Sequence, residues 1–253
     1  MRRGFGSISA GLAGLLMLIA LPAAADITVT GHYSLANGDT LTRKSYYTRH
    51  RLRTTLPNGD EVIYDHSSKR IALVDHAQKR FWEGPLAQAD SIAARIRSER
   101  SKAFMANATP ELKARISDLY AALTDSVRTE KTEETRKISS YPCTKWVLTA
   151  GPHLRQERWV ARSLAMPDFA PEVEKVVLAT VMDPLGRGLM KLILQSRATD
   201  GMTLAAHMSF STLSQDGEMS WEAVRVVSGT IGKDAWVVPA GYTRWNPPAT
   251  SAE

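Results

Sequence analysis

The strongest restriction on this chain is a period of two. From Ile27 onward, Ile27, Val29, Gly31, Tyr33 and Leu35 fall on one face, and Thr28, Thr30, His32 and Ser34 fall on the other. That is the pattern of an extended strand with one face buried, and it cannot be reconciled with a helix, whose faces repeat every 3.6 residues. Turn chemistry joins this strand to its neighbours. Asn37-Gly38-Asp39 precedes a strand from Thr40 to Thr48, and Pro57-Asn58-Gly59-Asp60 connects Arg49 to Leu56 with Glu61 to Asp65. Asn-Gly between alternating segments is a hairpin signal. A phrase then repeats: Tyr64-Asp65-His66-Ser67-Ser68-Lys69-Arg70-Ile71 returns as Val74-Asp75-His76-Ala77-Gln78-Lys79-Arg80-Phe81. Each copy is expected to end one strand and start the next, with the Asp carboxylate accepting hydrogen bonds from turn N–H groups.

From Pro85 the period changes. Leu86, Ala89, Ala93 and Ile96 recur at helical spacing to about Ala106. Thr109-Pro110 opens a second helix with an apolar stripe of Leu112, Ile116, Leu119, Tyr120 and Leu123. Residues Asp125 to Ser140 are too polar for a core element and predict exposed edge strands or a long polar ribbon. Cys143 to Ala150 and His153 to Arg162 form the arms of a hairpin across Gly151-Pro152. Pro171 starts a helix with Val173, Val176, Val177 and Thr180 on one side, broken at Asp183-Pro184 and followed by a shorter helix from Leu185 to Leu194. Strands return at Leu204 to Phe210, at Met219 to Val227 and at Ala235 to Val238. This order predicts an α+β fold, with one large antiparallel sheet and helices covering one face.

Preceding all of this, Arg2-Arg3, the apolar run Ile8 to Leu21 and Ala23-Ala24-Ala25 have the layout of a signal peptide, residues 1–25, cleaved after Ala25. The run is shorter than the roughly 20 residues that span a bilayer, so no membrane span is expected. Arg2-Arg3-Gly4-Phe5 partly resembles a twin-arginine motif, but the apolarity of the run favours the general secretory route. The expected localisation is therefore the periplasm, with residues 26–245 as a single domain and 246–253 as a flexible tail. The sole cysteine, Cys143, is not at the cleavage site, which argues against lipid anchoring there. A single cysteine also rules out an internal disulfide, so Cys143 is expected as a free thiol in a fold held by its core. The formal net charge is +6, two units of it from Arg2 and Arg3. Outside the cytoplasm such a charge has no nucleic acid to meet, whereas anionic envelope surfaces are present.

The residue patterns of the common catalytic and cofactor sites are absent. His66 and His76 fall at successive turns of a meander, roughly 20 Å apart at opposite ends of one strand, too far to share a metal ion. There is no His-Glu-x-x-His pair, no Gly-x-Ser-x-Gly elbow and no Gly-rich phosphate loop. No catalytic residue, metal or cofactor is expected. Two basic runs remain as candidates to meet an anionic head group: Arg95, Arg97, Arg100 and Lys102 on the first helix, and Arg49, Arg51 and Arg53 along one strand face. Solvated faces are the plainer reading of both. Trp146, Trp159 and Met208 are candidates to line a pocket for an acyl chain, with ordinary core packing as the alternative.

Several phrases together resemble a family of exported domains of unknown function. They are the basic strand before Asn58-Gly59-Asp60, Val62-Ile63-Tyr64-Asp65, Ile71-Ala72-Leu73-Val74-Asp75 ahead of Phe81-Trp82, Tyr141-Pro142-Cys143-Thr144-Lys145-Trp146, Glu157-Arg158-Trp159-Val160, and Val238-Pro239-Ala240-Gly241-Tyr242. That family looks related to the periplasmic lipoprotein carriers and lipoprotein-like lipid binders. The resemblance implies an unclosed half-barrel with helices lidding an apolar cavity. It also implies a non-enzymatic role in binding a lipid or another apolar ligand, with Arg51 or Arg53 as the arginine nearest an acyl chain. A protein-interaction or envelope-sensing module of the same fold is the alternative, and a hydrolase with a site assembled in space is a third.

Overall fold

The structure is a computed structural model that describes residues 26–34, 38–56, 58–111, 113–114, 127–150, 154–181, 201–212 and 215–246. The expected second helix beyond Lys113-Ala114, the helix from Leu185 to Leu194 and most of the tail lie outside them.

The alternating N-terminal pattern becomes a meander of six strands. These are β1 (Ile27–Ser34), β2 (Thr40–Tyr47), β3 (Arg51–Thr55), β4 (Glu61–Asp65), β5 (Arg70–Asp75) and β6 (Arg80–Pro85). The repeated phrase makes two equivalent turns. Asp65 Oδ1 accepts from the N–H groups of Ser67 and Ser68 at 2.9 and 3.2 Å, and Asp75 Oδ1 accepts from Gln78 N–H at 3.0 Å. Lys69 and Lys79 close the turns at φ +51° and +48°.

Helix α1 (Leu86–Asn107) follows, then β7 (Val127–Ile138), β8 (Tyr141–Ala150), β9 (Leu154–Ala161), helix α2 (Ala170–Val181), β10 (Met202–Thr212), β11 (Gln215–Ser228) and β12 (Thr243–Arg244). Among the described residues the strands form one unclosed sheet in the order β12-β6-β5-β4-β3-β2-β1-β11-β10-β9-β8-β7. Its seam is the antiparallel pairing of β1 with β11, from Ile27 against Ser228 to Ser34 against Ser220. Among the described residues the one parallel pair is β12 against β6. The fold is thus α+β, a half-barrel with helices on one face.

The main core lies between the concave face and the helices. Val62, Tyr64, Ile71, Leu73 and Trp82 project from β4 to β6 toward Ala89, Ile92 and Ala93 of α1, and Ala170, Val173 and Val176 of α2 join the same cluster. The stripe expected on α1 is the one it buries, with Ile92 added. The polar segment before Tyr141 is the edge strand β7. The tip of the β7–β8 ribbon bends back far enough for Ser139 Oγ to accept from Val226 N–H at 2.8 Å and for Arg136 to reach Glu222 at 3.0 Å.

One expected strand is not formed. Lys233–Trp236 is a 3-10 turn, and Ala235 to Val238 pairs with no strand among the described residues. Instead the carbonyls of Ala235 and Val237 accept from Arg53 at 3.0 and 3.3 Å. The segment crosses the convex face over Ile63, Ala72 and Val74, where Val238 and Tyr242 pack, and ends as β12.

Candidate functional site

Strand register decides which side chains meet beneath α2. Arg43 lies opposite Gly31, and Tyr33 lies opposite both Leu41 and Trp221. Trp221 is paired with Ala206, and Ala206 with Arg158. Tyr33, Arg43, Trp221, Ala206 and Arg158 therefore share the concave face. Met208 and Met219 lie one row further on, opposite each other. Val173, Glu174 and Val177 of α2 form the ceiling, with Met166 and Pro167 just before it. Together these residues enclose a cavity of about 700 Å³, partly open to solvent. That volume falls within the range of sites for small molecules, roughly 300–1,000 Å³.

Among the described residues three arginines line this space, the half-buried Arg43 and Arg158 and the exposed Arg162. The Arg43 guanidinium carbon is 4.4 Å from the Trp221 ring centroid and 5.7 Å from that of Tyr33, and its Nε donates to Ser45 Oγ at 3.2 Å. Burial works against the Arg43 charge, but Tyr33, Tyr47 and Glu174 outweigh it and hold the pKa above the ordinary value. Burial also pushes the Tyr33 phenol up, against the opposing influence of Arg43. Arg158 donates from Nε to Gln156 Oε1 at 2.9 Å. Burial draws its pKa down while Glu174 opposes the fall. Both remain cations, because an arginine is not deprotonated in a protein. The arrangement provides fixed positive charge, aromatic faces and flexible thioethers around an open volume. Ser45 Oγ is bound to Thr54 Oγ1 at 2.7 Å, so this hydroxyl is tied to a second hydroxyl.

Of the residues singled out in the sequence, Met208 lines the cavity. Arg51 and Arg53 do not. They alternate with Leu52 and Thr54, which face inward, and so project from the convex face. Arg51 pairs with Asp65 at 2.8 Å and lies 6.0 Å from the Trp236 ring, while Arg53 pairs with Glu61 at 2.6 Å. Arg95 is half-buried on α1, whereas Arg49 and Lys102 are exposed; the Arg97 and Arg100 side chains lie outside the described residues. Trp146 is half-buried on β8, opposite Arg158 in register. Trp159 projects the other way, between Arg136 at 4.5 Å and Lys145 at 5.8 Å. Cys143 is a buried free thiol whose pKa burial raises. Among the described residues, no three His, Cys, Asp or Glu side chains converge as metal ligands would.

Arg43 and Arg158 were missed by the sequence reading, although a signal existed. Arg43 shares a strand face with Leu41 and Tyr47, and Arg158 shares one with Leu154 and Val160. A charge at an inward position of an alternating strand marks a cavity or a buried ion cluster.

No family model matches the sequence, and no curated protein matches it. Solved structures are similar in fold only at low identity. An uncharacterized conserved protein from Thermus thermophilus is 8% identical, with a TM-score of 0.43 over 88% of this chain and 90% of that one. MucB in the Pseudomonas aeruginosa MucA/MucB complex is 12% identical, with a TM-score of 0.43 over 89% of this chain and 62% of MucB. The chain therefore spans less than two thirds of that protein's length. A LolA superfamily protein from Nitrosomonas europaea is 8% identical, with a TM-score of 0.24 over 85% of this chain and 91% of that one.

Proposed function

We propose that this is an exported periplasmic protein that carries or senses a lipid or other apolar ligand, held without chemical change between the half-barrel and α2. The observation that supports this reading is the cavity of about 700 Å³ beneath α2, walled by Tyr33, Leu52, Met208, Met219 and Trp221 and roofed by Val173 and Val177. A concave site of this size, lined by aromatic and aliphatic side chains with a few polar groups, is the ordinary setting for a bound small molecule, and covering a ligand's apolar surface there is favourable.

Protein purified gently from the periplasm is expected to show a co-purifying mass by native mass spectrometry, and organic extraction should release a lipid. Ala206 sits half-buried on the cavity floor. The variant Ala206→Phe should fold, as judged by circular dichroism, yet lose the extra mass. Protein that is ligand-free in every preparation, and whose melting temperature no lipid raises, would count against the proposal, since a ligand that binds only the folded state must stabilise it.

A further inference from the structure

A second hollow lies on the convex face, across the sheet from the cavity beneath α2. After β11 the chain turns at Gly229, whose N–H donates to the Asp26 carbonyl at 3.0 Å. It meets the sheet again where Arg53 holds the carbonyls of Ala235 and Val237 and the Trp236 ring stands edge-on to Tyr46 at 6.1 Å. Between these anchors, residues 230–234 arch over the strands and leave a pocket of about 470 Å³ that is open to solvent. Register sets its floor: Thr28, Tyr46 and Arg53 form one row across β1, β2 and β3, and Lys44 stands in the next row. Ile231 and Asp234 of the arch face them. The polar groups here are not spent on one another. Lys44 leans over Tyr46, its Nζ 5.1 Å from the ring centroid, and neither Lys44 nor Asp234 makes an ion pair with another described residue. Arg53 gives Nη1 to the two carbonyls and Nη2 to Glu61, so its Nε is a buried donor with no acceptor among the described residues. Such a donor costs free energy until an acceptor reaches it.

We propose that this pocket binds a small zwitterion, an amino acid or a short peptide with both ends free, whose carboxylate meets Lys44 and the neighbouring Arg53 Nε and whose ammonium meets Asp234. The site is independent of the lipid reading above, because the sheet separates the two hollows. Its volume falls within the range of small-molecule sites. An anion alone would be drawn to Lys44 and repelled by Asp234, and a cation alone the reverse. A ligand carrying both signs is attracted at both walls, through charge-assisted hydrogen bonds roughly twice as strong as neutral ones. Tyr46 and Ile231 offer the apolar surface for its side chain.

The test uses the full chain and four probes: leucine, the dipeptide alanyl-leucine, its N-acetylated form and its C-terminal amide. Calorimetry gives the affinity, and the amide resonances of residues 230–235 report the place. At least one of the two zwitterions should bind and shift those resonances, and whichever binds better separates an amino acid from a peptide. Blocking either end of the better ligand should weaken it about tenfold or more. Lys44→Gln should erase the difference between the free and amidated ligand while keeping the penalty for acetylation, and Asp234→Asn should do the opposite. Misfolding cannot imitate two losses that each spare the other end. Ala206→Phe, which fills the hollow on the concave side, should leave this binding unchanged. Absence of binding by both zwitterions, equal binding of free and blocked forms, or binding lost in Ala206→Phe would each overturn the proposal, and none of these outcomes bears on whether a lipid occupies the space beneath α2.

Discussion

Asp65 and Asp75 show how single carboxylates set the hairpins of the N-terminal half. Burial works to raise the Asp65 pKa, but the N–H groups of Ser68 and Ser67 and the Arg51 guanidinium outweigh it and hold the carboxyl below its ordinary value of 3.8. A carboxylate with a depressed folded pKa stabilises the native state above the unfolded value, and that stabilisation disappears as pH falls through the folded value. Asp65→Ala should therefore cost about 1–2 kcal/mol at pH 7 and flatten the loss of stability below pH 4, as read from urea denaturation at a series of pH values. Turn chemistry of this kind is local, so the sequence announces it. Arg43 and Arg158 are different. Their role comes from the strands opposite them, and alternation gives the face of a side chain without saying whether that face meets a packed core or an open cavity. Arg51 and Arg53 were attractive because they alternate on one strand face, but that same alternation places them opposite Leu52 and Thr54, on the convex side.

At the scale of elements, helical periodicity predicted α1 and α2 well because their stripes, Ala89-Ile92-Ala93 and Ala170-Val173-Val176, bury against the sheet. The C-terminal segment was less legible. Its Val237-Val238 pair suggests a strand, yet its carbonyls are taken by a side chain, Arg53, and nothing in the local sequence announces that partner. The strap is held by polar groups on both sides. His76 Nε2–H donates to Glu61 at 3.0 Å, which leaves Nδ1 to accept from Tyr242 Oη–H at 2.6 Å. Arg53 and Glu61 keep only 12% and 13% of their side-chain surface exposed. Arg53→Met should leave Glu61 short of its cation and release the strap, at a cost of about 3 kcal/mol. Thermal unfolding gives the stability, and limited proteolysis should show new cleavage between Gly229 and Tyr242. Unchanged proteolysis would mean that Tyr242 and β12 hold the strap without Arg53.

For the whole molecule, the meander from β1 to β6 could be read hairpin by hairpin, and the α+β plan followed from the order of periods. What could not be read is that β1 pairs with β11, because strands so far apart in sequence carry no turn signal linking them. Gly31 lies on this seam at an irregularity in register, where a Cβ would collide with the backbone of Glu222, so its lack of a side chain is what allows the two strands to close up. The seam imposes a timetable on the chain. β1 emerges among the first segments and cannot complete its hydrogen bonds until β11, almost the last, has arrived. Closure of so long a loop is entropically expensive and slow. Until then the meander holds an open edge beside its own apolar face, the condition in which chaperones find their clients. In refolding followed by pulsed hydrogen exchange, the amides of β2 to β5 should gain protection first and the β1–β11 pair last. A chain ending before Gln215 should remain stalled with that edge uncovered.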